Sequence, residues 1–196
     1  MPNKRSPLIV GLAGSPRANA NTTMLLDAAL AGATEQGATV VRFDLNKMSI
    51  RPCQACGGCY ETGRCVMRDD MDQIYGALDH MDAIVVASPV FFGGVTAQTK
   101  AMIDRCQPYW ARKYVLKQPV SDDNRRRDLL FLSVLGHDKQ DLIAGIRTNI
   151  KYFHDVLTLD GDYAELIFPK VEQAGEIGEH WEALAQAREA GARLVH

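Results

Sequence analysis

Short apolar runs alternate with helix-like stretches along the chain, and this alternation limits the possible folds more than any other feature. A continuous apolar run such as residues 8–13, L-I-V-G-L-A, is typical of a strand that is buried on both faces. Parallel strands need crossover connections, usually helices, between them. The alternation therefore predicts an α/β fold with one open parallel sheet and helices on both faces. The predicted strands are 8–13, 38–43, 82–87, 129–134 and 163–167.

Helical spacing of hydrophobic residues predicts five helices between and after these strands. Asp70 and Gln73 resemble a capping box at the start of the second helix. Residues 106–127 are predicted to be irregular or partly helical. We expect one domain over residues 1–196, with a cysteine-rich insertion at about 45–70. The predicted helices run from about 21 to 37, 70 to 78, 96 to 105, 139 to 157 and 176 to 194.

The composition excludes several classes of protein. With 46% hydrophobic and 23% charged residues, the chain is expected to be globular rather than disordered. A net charge of −2 gives no long-range attraction to nucleic acid or acidic membranes, so neither is expected as a partner. The arginines at 125–127 are flanked by aspartates, and we predict a solvated, locally neutralised loop there.

The N-terminal residues do not have the pattern of an export signal. Basic residues precede the apolar run 8–13, but this run is short and leads into G-S-P-R rather than a cleavage site. No segment approaches the roughly 18 apolar residues of a membrane-spanning helix. We therefore expect a cytoplasmic protein whose thiols stay reduced, which favours a metal-binding or redox role for its cysteines over disulfides.

Three loops of unusual composition, 14–22, 88–95 and 135–138, follow the first, third and fourth predicted strands. Ligands of open parallel sheets bind beyond the carboxyl ends of the strands, so we expect these loops to form one site. The first loop contains Ser15, Arg17, Asn21 and Thr22 and leads into a helix, a combination that suits a phosphate. The alternative is an ordinary turn in which these side chains cap the helix. Neither G-x-G-x-x-G nor G-K-[ST] is present, which argues against a dinucleotide fold and an NTPase.

The motifs of these loops resemble a known family. G-S-P-R-A-N-A-N-T, residues 14–22, is similar to the phosphate loop G-S-P-R-x-x-G-N-T of the NADPH-dependent FMN reductase family. Residues 82–105 are similar to the third strand, the flavin loop and the following helix of that family. The resemblance implies a flavodoxin-like three-layer sandwich with strand order 2-1-3-4-5. Ala20 stands where the family has glycine, a departure expected to cost some flexibility of the turn.

The resemblance also implies the residues that hold FMN. Ser15, Arg17, Asn21 and Thr22 would bind the phosphate, and a second set would lie along the isoalloxazine ring, where apolar and small residues suit a planar aromatic group. Alternatively, Phe91 and Phe92 belong to the core, and His137 is a solvent-exposed cap before Asp138. The ring set is Pro89, Val90, Phe91, Phe92 and Gly93, with Leu135, Gly136 and His137 as a further contact.

Four cysteines, Cys53, Cys56, Cys59 and Cys65, lie within thirteen residues at the spacing C-x2-C-x2-C-x5-C. A [4Fe–4S] cluster needs four thiolates on a compact loop, and Gly57, Gly58 and Gly63 would relieve its turns. Structural zinc, a redox C-x-x-C pair or an unmetallated loop are the alternatives. The remaining cysteine, Cys106, is predicted to be a buried, inert thiol.

On this scaffold the cysteine run resembles that of the iron–sulfur flavoproteins, a branch of the same family, and the likeness covers residues 8–105. It implies a [4Fe–4S] cluster beside FMN in an electron-transfer flavoprotein without a catalytic side chain. NAD(P)H is a possible reductant, the partners would be small-molecule or protein electron donors and acceptors, and a homodimer or homotetramer is expected. An NAD(P)H-dependent FMN or quinone reductase without a cluster is the alternative, and a non-catalytic redox sensor is a third.

Overall fold

The computed structural model describes residues 5–120, 126–157 and 161–196. Within this part of the chain, one sheet of five parallel strands has the order β2-β1-β3-β4-β5. This confirms the predicted α/β class and the order that the family resemblance implied. The strands are β1 (Leu8–Ala13), β2 (Thr39–Asp44), β3 (Ala83–Ala87), β4 (Asp128–Leu135) and β5 (Tyr163–Pro169).

The central strands owe their position to uninterrupted apolar sequence. All residues of β3 and β4 are buried, whereas the edge strands β2 and β5 are partly exposed. Each fully buried valine, leucine or isoleucine contributes about 1.5–3 kcal/mol relative to an exposed one. A strand with two apolar faces is therefore stable only between two layers of helices.

Helices cover both faces of the sheet. On one face α1 (Asn21–Glu35) and α7 (Trp181–Ala192) pack against the sheet. On the other face lie α3 (Met71–His80), α4 (Ala97–Asp104), α5 (Gln107–Trp110) and α6 (Gln140–Leu157). The short helix α2 (Cys59–Thr62) belongs to the cysteine-rich insertion. None of the helices within the described ranges is long and apolar enough to cross a membrane.

Several local predictions differ from the structure. Of the stretch 106–127, the described residues 106–120 and 126–127 are partly helical, as predicted, with α5 continuing into a π-helical turn (Ala111–Leu116). The predicted helix 176–194 is divided into a 3₁₀ turn (Glu176–Glu179) and α7, because the backbone of His180 is not helical. The predicted capping box is wrong: the carboxylate of Asp69 accepts from the N–H of Met71, whereas Asp70 accepts from the N–H of Ser49.

The prediction of a solvated arginine loop is wrong for Arg127. Its side chain is buried, and its guanidinium donates to the carbonyls of Leu78 and Asp79 at 2.8 and 2.9 Å. These carbonyls lie at the end of α3, where the last carbonyls of a helix have no partner within the helix. Arg126 is half-exposed beside Asp128, and Arg125 lies outside the described residues.

Candidate functional site

The loops after β1, β3, β4 and β5 enclose a cavity of about 200 Å³ at the carboxyl edge of the sheet, which we call the strand-end cavity. It brings together ten of the twelve residues that the family resemblance implied for flavin binding; Phe92 and Gly93 do not line it. The predicted residues that line it are Ser15, Arg17, Asn21, Thr22, Pro89, Val90, Phe91, Leu135, Gly136 and His137.

The loop after β1 is fixed against the start of α4. A Cβ atom on Gly14 would lie 2.0 Å from Oγ1 of Thr99, so only glycine fits there. The hydroxyl of Thr96 donates to the carbonyl of Gly14 at 2.6 Å, and the N–H of Thr96 donates to Oγ of Ser88 at 3.1 Å. The loops after β1 and β3 are therefore held together before any ligand binds.

Thr22 carries the clearest sign of a ligand-binding site. Its side chain is buried, it lines the strand-end cavity, and its hydroxyl has no hydrogen-bond partner. A buried polar group without a partner costs about 1–3 kcal/mol. Thr22 lies in the first turn of α1, a 15-residue helix whose N-terminus has no side-chain cap. Free N–H groups and an unpaired hydroxyl at a helix N-terminus fit an oxyanion such as phosphate.

Ala20 fits the backbone of this loop without strain. The left-handed residue of the turn is Asn19, with φ of 50°, while Ala20 has an extended backbone with φ of −71° and ψ of 141°. Asparagine tolerates the left-handed region better than most residues with a side chain. A glycine at position 20 is therefore not required by this backbone.

Asn21 lines the cavity, but its side chain is used elsewhere. Its amide nitrogen donates to the carbonyl of Gln173 at 2.7 Å, and its amide oxygen accepts from the N–H of Ile177 at 3.2 Å. The guanidinium of Arg17 donates to the carbonyl of Glu172 at 3.0 Å. Both residues thus bind the segment after β5, residues 170–177, to the phosphate-loop candidate.

Sequence reasoning missed this segment after β5, although Val171, Glu172 and Ala174 line the cavity. Its composition has no phosphate-loop or flavin-loop motif. The only available signal was its position at the carboxyl end of a parallel strand. Oε2 of Glu172 lies 3.1 Å from where a Cβ atom on Gly136 would be, so this carboxylate packs beside the loop after β4.

The loop after β3 ends in a tight turn. The backbones of Phe91 and Gly94 exchange two hydrogen bonds of 2.9 Å, and the residues between them, Phe92 and Gly93, have φ of 50° and 73°. Phe92 is fully exposed and Phe91 is 42% exposed at the cavity wall, so the alternative that both phenylalanines are core residues is wrong. His137 is exposed at the rim of the cavity.

The four cysteines of the insertion line a second cavity of about 320 Å³, the cysteine cavity. Cys56 is exposed, whereas Cys53, Cys59 and Cys65 are partly buried. The insertion turns through left-handed residues that include Gly57 and Gly63, as expected for tight turns. Gly58 instead has a right-handed helical backbone, and a Cβ atom there would lie 2.7 Å from Val66.

All four cysteines are free thiols. Among the described residues, no group of three or more histidine, cysteine, aspartate or glutamate side chains is arranged to hold a metal ion. Burial raises the pKa of Cys59, and the nearby Cys53, Cys65 and Cys56 raise this pKa further. Four sulfur donors around one cavity fit a soft metal centre by their chemistry.

Arg105, which lines the cysteine cavity, belongs to a buried ion pair. Arg105 donates to both carboxylate oxygens of Asp69, at 2.6 and 3.1 Å, and both side chains are almost fully buried. Burial opposes the charge on each, but their hydrogen bonds hold the pKa of Asp69 below its usual range and raise the pKa of Arg105. Cys106 is buried outside this cavity, as predicted, and burial raises the pKa of its thiol.

Comparison with known proteins agrees with the motifs of the sequence. The family model described as NADPH-dependent FMN reductase matches residues 7–140. The chain is 43% identical to an iron-sulfur flavoprotein of Archaeoglobus fulgidus over 103 residues, 53% of this chain and 47% of that protein. It is 40% identical to an iron-sulfur flavoprotein of Methanocaldococcus jannaschii over 100 residues, 51% of this chain and 52% of that protein. The chain thus spans about half the length of these curated relatives.

The fold is also similar to solved structures. The NAD(P)H:quinone oxidoreductase from Methanothermobacter marburgensis superposes with a TM-score of 0.76 over 98% of both chains. The sequence identity of this pair is 18%, so the likeness concerns the fold alone.

Proposed function

The chain belongs to the NADPH-dependent FMN reductase family of flavin-dependent oxidoreductases, and we propose that it is an electron-transfer flavoprotein with FMN in the strand-end cavity. The observation that carries this proposal is the buried, unpartnered hydroxyl of Thr22 beside the uncapped N-terminus of α1. A bound phosphate would satisfy both. Bound FMN supplies the redox chemistry, since it accepts two electrons together and releases them one at a time.

Different residues of the strand-end cavity would bind the phosphate and the ring of FMN. Ser15, Arg17 and Thr22 would hold the phosphate, and Asn21 would position this loop through its bonds to the segment after β5. The ring would lie among a mainly apolar set that excludes water from one side of it. Phe92 and Gly93 would form the turn that holds this set in place. The ring set is Pro89, Val90, Phe91, Leu135, Gly136 and His137.

We further propose that Cys53, Cys56, Cys59 and Cys65 hold a [4Fe–4S] cluster. The support is the all-sulfur donor set around the cysteine cavity and the similarity to proteins named iron-sulfur flavoproteins. A cluster exchanges single electrons, so it would connect the two-electron chemistry of FMN to one-electron partners. The chain would then pass electrons between the two groups, with small-molecule or protein donors and acceptors, NAD(P)H among them.

The second candidate is an NAD(P)H-dependent FMN or quinone reductase whose cysteines bind zinc or nothing. The observation in its favour is that the described thiols are unpaired and not arranged around a metal. Homodimer or homotetramer formation and a cytoplasmic location are part of both proposals and stay predictions.

Metal analysis of anaerobically purified protein separates the two candidates. The cluster proposal predicts about four iron and four acid-labile sulfide atoms per chain, with FMN present in the same sample. FMN together with zinc, or with no metal after anaerobic reconstitution with iron and sulfide, would contradict the cluster proposal and support the reductase without a cluster.

A further inference from the structure

Arg105 is the buried cation of the cysteine cavity. It follows α4 directly and is 1% exposed, and its side chain has no exposed surface. Its two terminal nitrogens are satisfied: one donates to Asp69 and to the carbonyl of Arg51 at 2.9 Å, and the other donates to Asp69. These partners lie at the two ends of the cysteine-rich insertion. Arg105 therefore closes the base of the loop that contains the four cysteines.

The third nitrogen of this guanidinium differs from the two terminal nitrogens in its hydrogen bonding. Nε of Arg105 is buried and has no hydrogen-bond partner. Leaving a buried charged donor unpaired costs more free energy than leaving a neutral donor unpaired. A clamp between Arg51 and Asp69 needs only the terminal nitrogens, so the closing of the loop does not explain an unpaired Nε–H. An unmatched donor of this kind indicates an absent acceptor.

The position of Arg105 identifies the acceptor by its chemistry. Arg105 lines the cysteine cavity together with Cys53, Cys56, Cys59 and Cys65. The other charged residue of the wall is Asp104, whose carboxylate is paired with Lys100 at 2.7 Å. The polar acceptors that an occupant of this cavity would offer to a buried N–H are sulfur atoms, either thiolate or sulfide.

We propose that Arg105 donates a hydrogen bond from Nε to a sulfur of the centre held by the four cysteines, and thereby raises its reduction potential. This inference rests on the proposed cluster. Hydrogen bonds to the sulfurs and the local charge are two factors that set the potential of iron–sulfur centres. A cationic donor favours the reduced cluster because reduction adds negative charge to the sulfurs.

Redox titration of the anaerobic holoprotein, followed by the EPR signal of the reduced cluster, tests this role. Arg105→Lys keeps a positive charge but removes the Nε–H. We expect its cluster to be about tenfold harder to reduce, a decrease of about 59 mV for one electron. Arg51→Lys is the matched control, because Arg51 lies 3.8 Å from the same Asp69 carboxylate but is exposed. This variant should keep the wild-type potential.

A second measurement uses wild-type protein, so it does not depend on whether an Arg105 variant folds. In wild-type protein labelled with ¹⁵N at Nε of arginine, pulsed EPR of the reduced cluster should show a ¹⁵N coupling, which Arg51→Lys retains. A cluster with no such coupling, or with an unchanged potential in Arg105→Lys, overturns the role of Arg105 and leaves the cluster proposal standing. A wild-type protein that takes up no iron and sulfide overturns both.

Discussion

Replacing Thr22 by valine gives the sharpest test of the phosphate site. Valine has nearly the same shape as threonine and also branches at Cβ, so the helix and the packing change little. The variant removes a buried hydroxyl that has no partner in the ligand-free protein. The free energy of unfolding without FMN should therefore rise by about 1–3 kcal/mol. For a domain of this size that corresponds to an increase of roughly 2–4 °C in Tm for each kcal/mol.

The same substitution should weaken FMN binding. The hydroxyl would donate to a charged phosphate, and such hydrogen bonds contribute about 1.5–3 kcal/mol. Each 1.4 kcal/mol is tenfold in affinity, so Kd should increase roughly 10- to 150-fold. Quenching of FMN fluorescence on titration measures Kd, and urea unfolding measures the stability of the ligand-free protein.

Thr23→Val is the matched control, because Thr23 is the next residue of the same helix but does not line the cavity. It should leave Kd for FMN unchanged. If the Thr22 hydroxyl binds phosphate, Thr22→Val must raise the stability of the ligand-free protein and lower its affinity for FMN. An unchanged Kd in Thr22→Val, or a less stable ligand-free protein, would refute it.

Three further changes test other parts of the molecule. Arg17→Gln should weaken FMN binding about tenfold at low ionic strength and less at high salt. The reason is that the guanidinium is exposed, so salt screens its attraction to phosphate. A loss of affinity that does not depend on salt would contradict this. Cys56→Ala should abolish iron and sulfide binding while one FMN per chain is retained, since the two cavities use separate loops; loss of FMN as well would show that the sites are coupled. Asp69→Asn should destabilise the protein by about 3–5 kcal/mol at pH 7 in urea unfolding, because it leaves the buried Arg105 without its partner charge. The folded-state pKa of Asp69 is lowered, so the stability from this carboxylate is present above its usual pKa and is lost as the pH falls through the folded-state value. The difference between wild type and Asp69→Asn should therefore shrink as the pH falls below the usual pKa of an aspartate. A difference that does not change with pH would contradict the ion pair as its cause.

The sheet and most of the strand-end cavity were predictable from the sequence because their signals are local. Each strand is a continuous apolar run, and the motif at 14–22 lies on consecutive residues. The carboxyl ends of parallel strands meet at one edge, so the loops after β1, β3 and β4 had to come together. The family resemblance supplied the twelve flavin candidates, and the topology brings ten of them to one cavity.

The contacts that could not be predicted join residues far apart in the chain. Asn21 bonds with Gln173 and Ile177, more than 150 residues away, and nothing in its neighbourhood indicates these partners. Arg127 lies in a charged stretch that is typical of a loop, yet it is buried because the end of α3 offers unpaired carbonyls. Arg105 likewise stands at the end of a helix, where an exposed side chain is the ordinary expectation. For each of these three side chains, burial depends on a hydrogen-bond partner that is distant in the sequence and not on the local sequence pattern.

Calorimetric titration of the flavin-free protein with FMN and, separately, with riboflavin tests the central claim most directly. Riboflavin has the same ring but lacks the phosphate. The account predicts one FMN bound per chain in a single cavity, with riboflavin bound at least tenfold more weakly because the uncapped start of α1 and the Thr22 hydroxyl then stay unpaired. No binding of FMN, or equal affinity for the two flavins, would contradict it.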